Sequence, residues 1–276
     1  PKGRGARGAK RISNQQKFRQ SKTSKFRYKL ILGAKMKYLF QILVLALALL
    51  IWQAFSGDLV PSVKEVVGAF FELAKSGKLL LGVTDSLIRY VIGLLVGSLV
   101  AVLVGLIFGL FPKFANAFEP LIGLLRPISP IAWIPLIVLA FGIGDKPTIF
   151  IIAYAIFFPM LLLTINAVKS VPNELVLAAR GFGASKMQII TGVIMPASLF
   201  SIISGLKLAA SLAWINLVVG EMVGAQSGLG YLIIDARNQL RIDSVMAVIF
   251  VIGVIGIVIN FIFSLIERYA GERLGR

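Results

Sequence analysis

Six long apolar stretches recur along the 276-residue chain and limit its fold more than any other feature. A helix needs roughly 20 mostly apolar residues to cross the hydrocarbon core of a membrane. The stretches that approach this length are Tyr38–Phe55, Leu87–Leu110, Ile131–Phe141 with its flanks, Ile149–Val168, Leu199–Gly224 and Val245–Ile266. Since 58% of the residues are hydrophobic and only 15% are charged, too few polar residues remain to cover a water-soluble protein. The sequence predicts an all-α integral membrane protein with six transmembrane helices.

Prolines interrupt the third stretch, which is the shortest of the six. Pro127, Pro130 and Pro135 lie in or beside it, and it reaches spanning length only if its helix begins near Leu121. Prolines free backbone carbonyls, and a membrane tolerates this only where neighbouring protein or water satisfies them. We therefore expect a broken span that is buried in protein and does not face lipid.

The second stretch carries a small residue at every fourth position. These positions are Gly93, Gly97, Ala101, Gly105 and Gly109. Small side chains let another backbone approach closely, so this face predicts tight helix packing. The spacing does not distinguish a partner helix of the same chain from a helix of a second copy.

Most of the net positive charge lies before the first stretch. Residues 1–37 contain 13 Lys and Arg and no Asp or Glu, so only +4 of the formal charge of +17 belongs to the remainder. We interpret 1–37 as a basic, disordered cytoplasmic tail that contacts anionic membrane lipid and fixes the orientation of the spans in 38–276. Six spans then place both termini in the cytoplasm of a bacterial inner-membrane protein. Nucleic-acid binding is the less favoured interpretation, because only three aromatic residues accompany these cations.

No residue pattern in the sequence is typical of an enzyme. Cysteine and histidine are absent, which removes thiolate metal sites, cysteine nucleophiles and the most common general base. No carboxylate cluster and no nucleophile-elbow motif stands out. The sequence predicts no catalytic site, no metal site and no cofactor in this chain.

Two segments between the apolar stretches have a helical pattern. Residues 61–76 place apolar side chains on one face, which predicts an amphipathic helix on the outer membrane surface. Residues 172–196 form the longest inner loop, in which Pro172 can start a helix and Glu174 lies in its first turn. Glycines should break that helix, and a second short helix is expected to end at Pro196.

Residues 175–196 of this loop, LVLAARGFGASKMQIITGVIMP, resemble the cytoplasmic "EAA" loop of ABC-importer permeases. The shared positions are Ala178, Ala179, Gly183 and Pro196. Leu177 stands where the motif has a glutamate, and the nearest acid is Glu174, about one helical turn earlier. The resemblance implies that these six residues couple the loop to an ATPase subunit: its helix docks there and transmits the motion of that subunit to the membrane helices.

Three further segments resemble the permeases for nitrate, sulfonate, taurine and bicarbonate. They are Leu125–Gly144, Leu59–Leu73 and Gly228–Asn238, and together with the loop they cover most of residues 59–268 in the expected order. The resemblance implies the ABC type I importer permease fold and the import of a small anion by alternating access. It also implies a homodimer, two cytoplasmic ATPase subunits that bind ATP and Mg, and an external substrate-binding protein.

Polar residues line one face of the fifth stretch. The positions Ser204, Lys207, Ser211, Trp214, Val218 and Glu221 are spaced by three and four residues and share that face. Charges in an apolar span should face protein or a water-filled cavity, so we interpret the polar and aromatic members as part of the translocation path. Alternatively, Lys207 reaches the inner interface and Glu221 meets the outer one. In the second stretch, Arg89 is expected to pair with Asp85 one turn earlier, and contact with the substrate is the less favoured alternative.

One other class of transporter remains open from the sequence. An ion-coupled secondary carrier works without an ATPase and usually shows intramembrane acids or an inverted repeat. Glu221 is the one candidate acid well inside a stretch, and no repeat is evident.

Overall fold

The computed structural model describes residues 40–44, 46–57 and 60–273, and every regular element within them is helical. The predicted tail 1–37 lies outside these residues. The elements are α1 (Phe40–Ala54), α2 (Val63–Lys75), α3 (Lys78–Leu110), α4 (Pro112–Leu125), a 3₁₀ turn (Pro130–Trp133), α5 (Ile134–Phe141), α6 (Asp145–Lys169), α7 (Asn173–Gly181), α8 (Lys186–Ile189), a π turn (Ile190–Ile194), α9 (Met195–Gly224), α10 (Leu229–Asn238) and α11 (Ile242–Arg273). The predicted all-α class is confirmed.

Four helices are long and apolar enough to cross a membrane: α3, α6, α11 and the continuous helix Lys186–Gly224. The pair formed by α4 and the segment Pro130–Phe141 is a fifth candidate, bent by 81° at its break. α1 is apolar but shorter than the roughly 20 residues that a span needs. The described residues therefore support four or five spans, and the sixth stays a prediction.

α3 and α6 pack closely through the small residues of α3. A Cβ added to Gly93 would lie 2.7 Å from Ile152, and one added to Gly105 would lie 2.6 Å from Thr164. Only glycine permits this approach, because such a Cβ would overlap the facing side chain. The predicted tight packing is confirmed, and the partner is a helix of the same chain.

The break that the prolines predicted lies between α4 and α5. Pro130 begins the 3₁₀ turn and Pro135 lies in the first turn of α5, where the missing N–H leaves no helical hydrogen bond unmade. The expected burial of this span holds only in part within the described chain: Ile134 and Ile137 of α5 are buried, but α4 is not. No residue of α4 is buried, and Leu124 and Leu139 are largely exposed, because the segment lies at the edge of the bundle.

Residues 186–224 form one continuous helix, so the predicted helix end at Pro196 is also wrong. Between α8 and α9 the backbone makes a π turn, in which the N–H of Met195 donates to the carbonyl of Ile190. A π turn is wider than an α turn, so the Pro196 ring avoids the carbonyl that a regular helix would place against it.

Candidate functional site

The loop predicted to couple to an ATPase is built from two short helices with a defined turn. α7 ends in a Schellman motif, in which the N–H of Ala184 donates to the carbonyl of Ala179 at 3.0 Å and that of Gly183 to Arg180 at 2.9 Å. Gly183 has a φ of 79°, a conformation that favours glycine. The motif glycine therefore has a local structural reason.

The turn continues directly into α8 through a capping box. The N–H of Ser185 donates to the Gln188 side chain at 2.8 Å, and the Ser185 hydroxyl accepts from the N–H of Gln188 at 3.4 Å. Both ends of the turn are thus fixed by hydrogen bonds within the loop, so α7 and α8 are held in one relative arrangement.

Most of the predicted coupling residues are accessible on the surface of this loop. Glu174, Leu177, Ala178, Gly183 and Pro196 are exposed, and Ala179 is half-buried. Phe182, which the sequence analysis did not single out, exposes 92% of its surface at the end of α7. Its place beside the motif glycine was the only sequence signal. The loop therefore presents an apolar, aromatic surface of the kind that marks protein contacts.

The polar face predicted for the fifth apolar stretch lies on α9, and we call its residues Ser204, Lys207, Ser211, Trp214 and Glu221 the α9 stripe. The first half of this stripe contacts α11. Lys207 Nζ donates to Glu267 Oε2 at 2.9 Å, and Ser204 also hydrogen-bonds the Glu267 carboxylate. The Ser211 hydroxyl donates to the carbonyl of Lys207 at 3.2 Å. Glu267 lies 60 residues from Lys207, just after the last apolar stretch, and does not stand out as its partner in the sequence.

Trp214, the next member of the stripe, is buried between helices. Its indole N–H donates to the carbonyl of Ile252 in α11 at 3.1 Å, and its ring meets that of Tyr90 in α3 edge to face at 5.6 Å. A Cβ added to Gly256 would lie 3.1 Å from the indole nitrogen. Trp214 therefore connects three helices in this conformation.

Glu221 lies fully buried, with 0% exposure, near the end of α9. Arg89 Nη1 donates to Glu221 Oε1 at 2.8 Å, and the Ser86 hydroxyl lies 2.8 Å from both carboxylate oxygens. The N–H of Gly230 donates to Oε2 at 2.9 Å. The carboxylate is thus fully satisfied by α3 and α10.

The expected pair between Arg89 and Asp85 is wrong. Arg89 Nε donates to Asp145 at 2.7 Å, and its remaining donors bind the Ser227 carbonyl at 2.7 Å and the Ser227 hydroxyl at 2.6 Å. Packing turns the guanidinium toward α6 and α9, which a single-helix pattern cannot show. We call Ser86, Arg89, Asp145, Glu221 and Ser227 the Arg89 cluster.

A second charged group lies between the end of α2 and the start of α11. Arg241 donates to both oxygens of Glu72 at 2.6 and 2.7 Å and to Asp243 at 2.9 Å. The hydrogen bonds and positive charge of Arg241 lower the pKa of Glu72. Within the described residues no group of His, Cys, Asp or Glu is arranged to hold a metal ion.

Curated proteins with related sequences are membrane subunits of transporters. An aliphatic sulfonates transport permease protein, SsuC of Escherichia coli, is 37% identical over 77% of this chain and 81% of its own length. The taurine transport system permease protein TauC of the same organism is 34% identical, over 66% of each chain. The nitrate import permease protein NrtB of Synechococcus elongatus is 28% identical, over 74% of each chain.

The structural comparison and the family match agree with these sequence relatives. A chain of the inward-facing MetNI methionine ABC transporter superposes with a TM-score of 0.61 at 21% identity, covering 71% of this chain and 98% of its own. Residues 93–276 match the family described as binding-protein-dependent transport system inner membrane component. This range includes α6, α9 and the loop before α9, together with most of α3. The chain therefore belongs to that family, the membrane-spanning permeases of ABC importers.

Proposed function

We propose that this permease carries a small oxyanion of the sulfonate, taurine or nitrate class, delivered by an external substrate-binding protein. The named solutes of SsuC, TauC and NrtB, all of which contain an oxyanion group, support this class. Lys207 supports it too, because its side chain is one-third exposed inside an otherwise apolar helix, where an anion reaches the ammonium by displacing Glu267. Family membership disfavours the alternative of an ion-coupled carrier without an ATPase.

The coupling loop 172–196 of each permease copy contacts one of two cytoplasmic ATPase subunits in this proposal, and those subunits bind ATP and Mg. Glu174, Leu177, Ala178, Ala179, Gly183 and Pro196 form the contact, and we add Phe182 as an aromatic anchor. The single observation that carries the proposal is the continuous helix Lys186–Gly224, because it joins this exposed loop to the helix that holds Lys207. Movement of the loop then moves α9 directly.

The translocation path follows α9 in our proposal. Ser204, Lys207 and Ser211 line its partly exposed half, where an anion in transit replaces the Glu267 carboxylate at the Lys207 ammonium and the Ser204 hydroxyl. Trp214 and Glu221 lie behind the surface of the path, because both are buried against neighbouring helices. They support the wall that the other three residues line. The path opens alternately to each side as the ATPases close and separate.

We further propose six spans, with α1 and the bent pair completing the four long helices, and both termini in the cytoplasm. In this orientation the tail 1–37 and the coupling loop are cytoplasmic, while α2, within 61–76, lies on the outer surface. A homodimer is supported by α4 and α5, since their apolar side chains are exposed beside a proline-broken backbone, which a membrane tolerates only next to protein or water.

A bulky side chain in the coupling loop tests the proposal. The permease is co-purified with its ATPase and binding protein, reconstituted in vesicles, and supplied with labelled taurine, ethanesulfonate or nitrate. We expect Ala178→Trp to reduce ATP-driven uptake at least tenfold, because the ring blocks close docking of α7. Ala74→Trp is the matched control, as Ala74 is equally an exposed alanine but lies on α2. Undiminished uptake by Ala178→Trp would refute the docking role.

A further inference from the structure

We propose that Arg89 and Glu221 are positioning residues for transport. They fasten the end of α9 and the start of α10 to α3, so that these helix ends keep one arrangement while the loop end of α9 moves. The inference rests on the proposed coupling of the permease to an ATPase. It concerns the end of the bundle opposite the coupling loop.

The contacts that carry this inference are directional and complete. Glu221 receives hydrogen bonds from Ser86 and Arg89 of α3 and from Gly230 of α10. Ser86 in turn accepts from the N–H of Leu229 at 2.8 Å, so two free N–H groups at the start of α10 are capped by side chains from other helices. Arg89 and Glu221 are 5% and 0% exposed, which leaves little access for water to compete.

The backbone around the pair is shaped to fit the carboxylate. Gly228 has a φ of 105°, and a Cβ there would lie 2.3 Å from Glu221 Oε1. A Cβ at Gly230 would lie 2.4 Å from the carbonyl of Val218. The connection from α9 to α10 therefore closes over Glu221 at a distance that only glycine allows.

Arg89 extends the same fastening to the connection itself and to α6. It binds both the hydroxyl and the carbonyl of Ser227, and its Nε reaches Asp145 at the first residue of α6. Nearby, the N–H of Gly144 donates to the carbonyl of Gly224 at 2.7 Å. Four chain segments thus meet at one guanidinium.

Stability alone does not account for this arrangement. Replacing a buried ion pair by well-packed apolar residues is often neutral or stabilising, so an apolar pair could hold these helices together. An apolar contact permits sliding and rotation, whereas the hydrogen bonds of Arg89 and Glu221 fix both register and angle. A charged pair inside a membrane bundle is therefore better explained by positioning than by cohesion.

The test compares uptake with ATP consumption in the reconstituted complex, using the same probes as above. The double variant Arg89→Met/Glu221→Met replaces the pair by apolar side chains of similar length. We expect it to assemble with the ATPase subunits and to leave ATP hydrolysis measurable, while uptake per ATP falls at least tenfold. Asp85→Asn, one turn from Arg89 on the same helix, is the matched control and should keep the wild-type ratio.

A wild-type ratio in the double variant would overturn the inference. Should that variant fail to assemble, Ser86→Ala decides, because it removes one hydroxyl from the cluster and keeps the charges. A threefold or larger loss of uptake per ATP in assembled Ser86→Ala complex supports positioning, and an unchanged ratio overturns it. Failure of the proposed function is distinguishable, since the unmodified complex would then show no ATP-driven uptake.

Discussion

At the scale of single residues, the two carboxylates that bind Arg89 differ greatly in environment. The side chain of Glu221 is 0% exposed and that of Asp145 is 66% exposed. Removing one partner of a buried ion pair leaves an uncompensated charge and costs ~3–5 kcal/mol, whereas an exposed ion pair contributes ~0–1 kcal/mol. The contact between Arg89 and Glu221 therefore contributes more to holding the helices together than the contact between Arg89 and Asp145.

Gly228→Ala is expected to lower the stability of the permease by about 2–4 kcal/mol, from left-handed backbone strain and overlap with Glu221. The measurement is the thermal unfolding of the purified protein in detergent. Gly123→Ala is the control, because a Cβ there meets nothing within 4 Å and Gly123 lies within α4. Equal unfolding temperatures for the two variants would contradict the assigned contact.

The Arg89 cluster could be only half predicted from the sequence. Arg89 and Glu221 were each visible as charges in apolar stretches, but they lie 132 residues apart, and helical spacing links a residue only to neighbours within two turns. A usable signal was present: one buried cation near the start of α3 and one buried anion near the end of α9. Matching such opposite charges between spans would have suggested the pair of Arg89 and Glu221. The orientation of the two side chains depends on helix packing and could not be predicted.

At the scale of elements, the outcome at Pro196 shows which boundaries a sequence can predict. The break at the glycines was predicted correctly: α7 ends at Gly181 and Gly183 lies in the Schellman turn that follows, which depends on local backbone geometry. The helix end predicted at Pro196 is wrong, because the helix accommodates the proline with a π turn at Ile190–Ile194 and continues. A π turn depends on packing along the whole helix, so no local pattern announces it.

α2 gives a prediction at this scale that concerns pH. Because Arg241 lowers the pKa of Glu72, their ion pair is complete above the ordinary carboxyl pKa of about 4.3 and is lost as the pH falls through the lower, folded value. A spin label at Phe71→Cys should therefore become more mobile only in acid. The chain contains no cysteine, so this label is the only one.

The same label in a Glu72→Gln background serves as the control. Its mobility should be high already at neutral pH and should change little on acidification. A label whose mobility is independent of pH in the unmodified background would show that Glu72 does not anchor α2.

At the scale of the whole molecule, the bent pair leaves an apolar surface with few neighbours in the described chain. Leu124 and Leu139 are 66% and 84% exposed there. The proline break was predictable from the positions of the prolines. The protein surface that would cover it was not, because one sequence does not show how two copies of the chain pack together. The proposed homodimer supplies that surface.

The double variant Leu124→Ala/Leu139→Ala should weaken self-association at least tenfold, because it removes apolar side chains from the proposed interface. The dimer fraction is measured by light scattering over a dilution series in detergent. Leu99→Ala/Leu103→Ala is the control, since those leucines are also exposed but lie on α3. Stronger dissociation in the control than in the test variant would move the interface to α3.

The continuous helix Lys186–Gly224 has 39 residues, which at 1.5 Å per residue gives a length of about 58 Å. A bilayer core is only ~30 Å thick, so much of this rod projects beyond the lipid. If the Glu221 end of this helix is held in place, as proposed, the helix pivots there and its loop end moves the most. A tilt of about 10° then sweeps the far tip through roughly 10 Å, and displacement shrinks steadily toward the pivot.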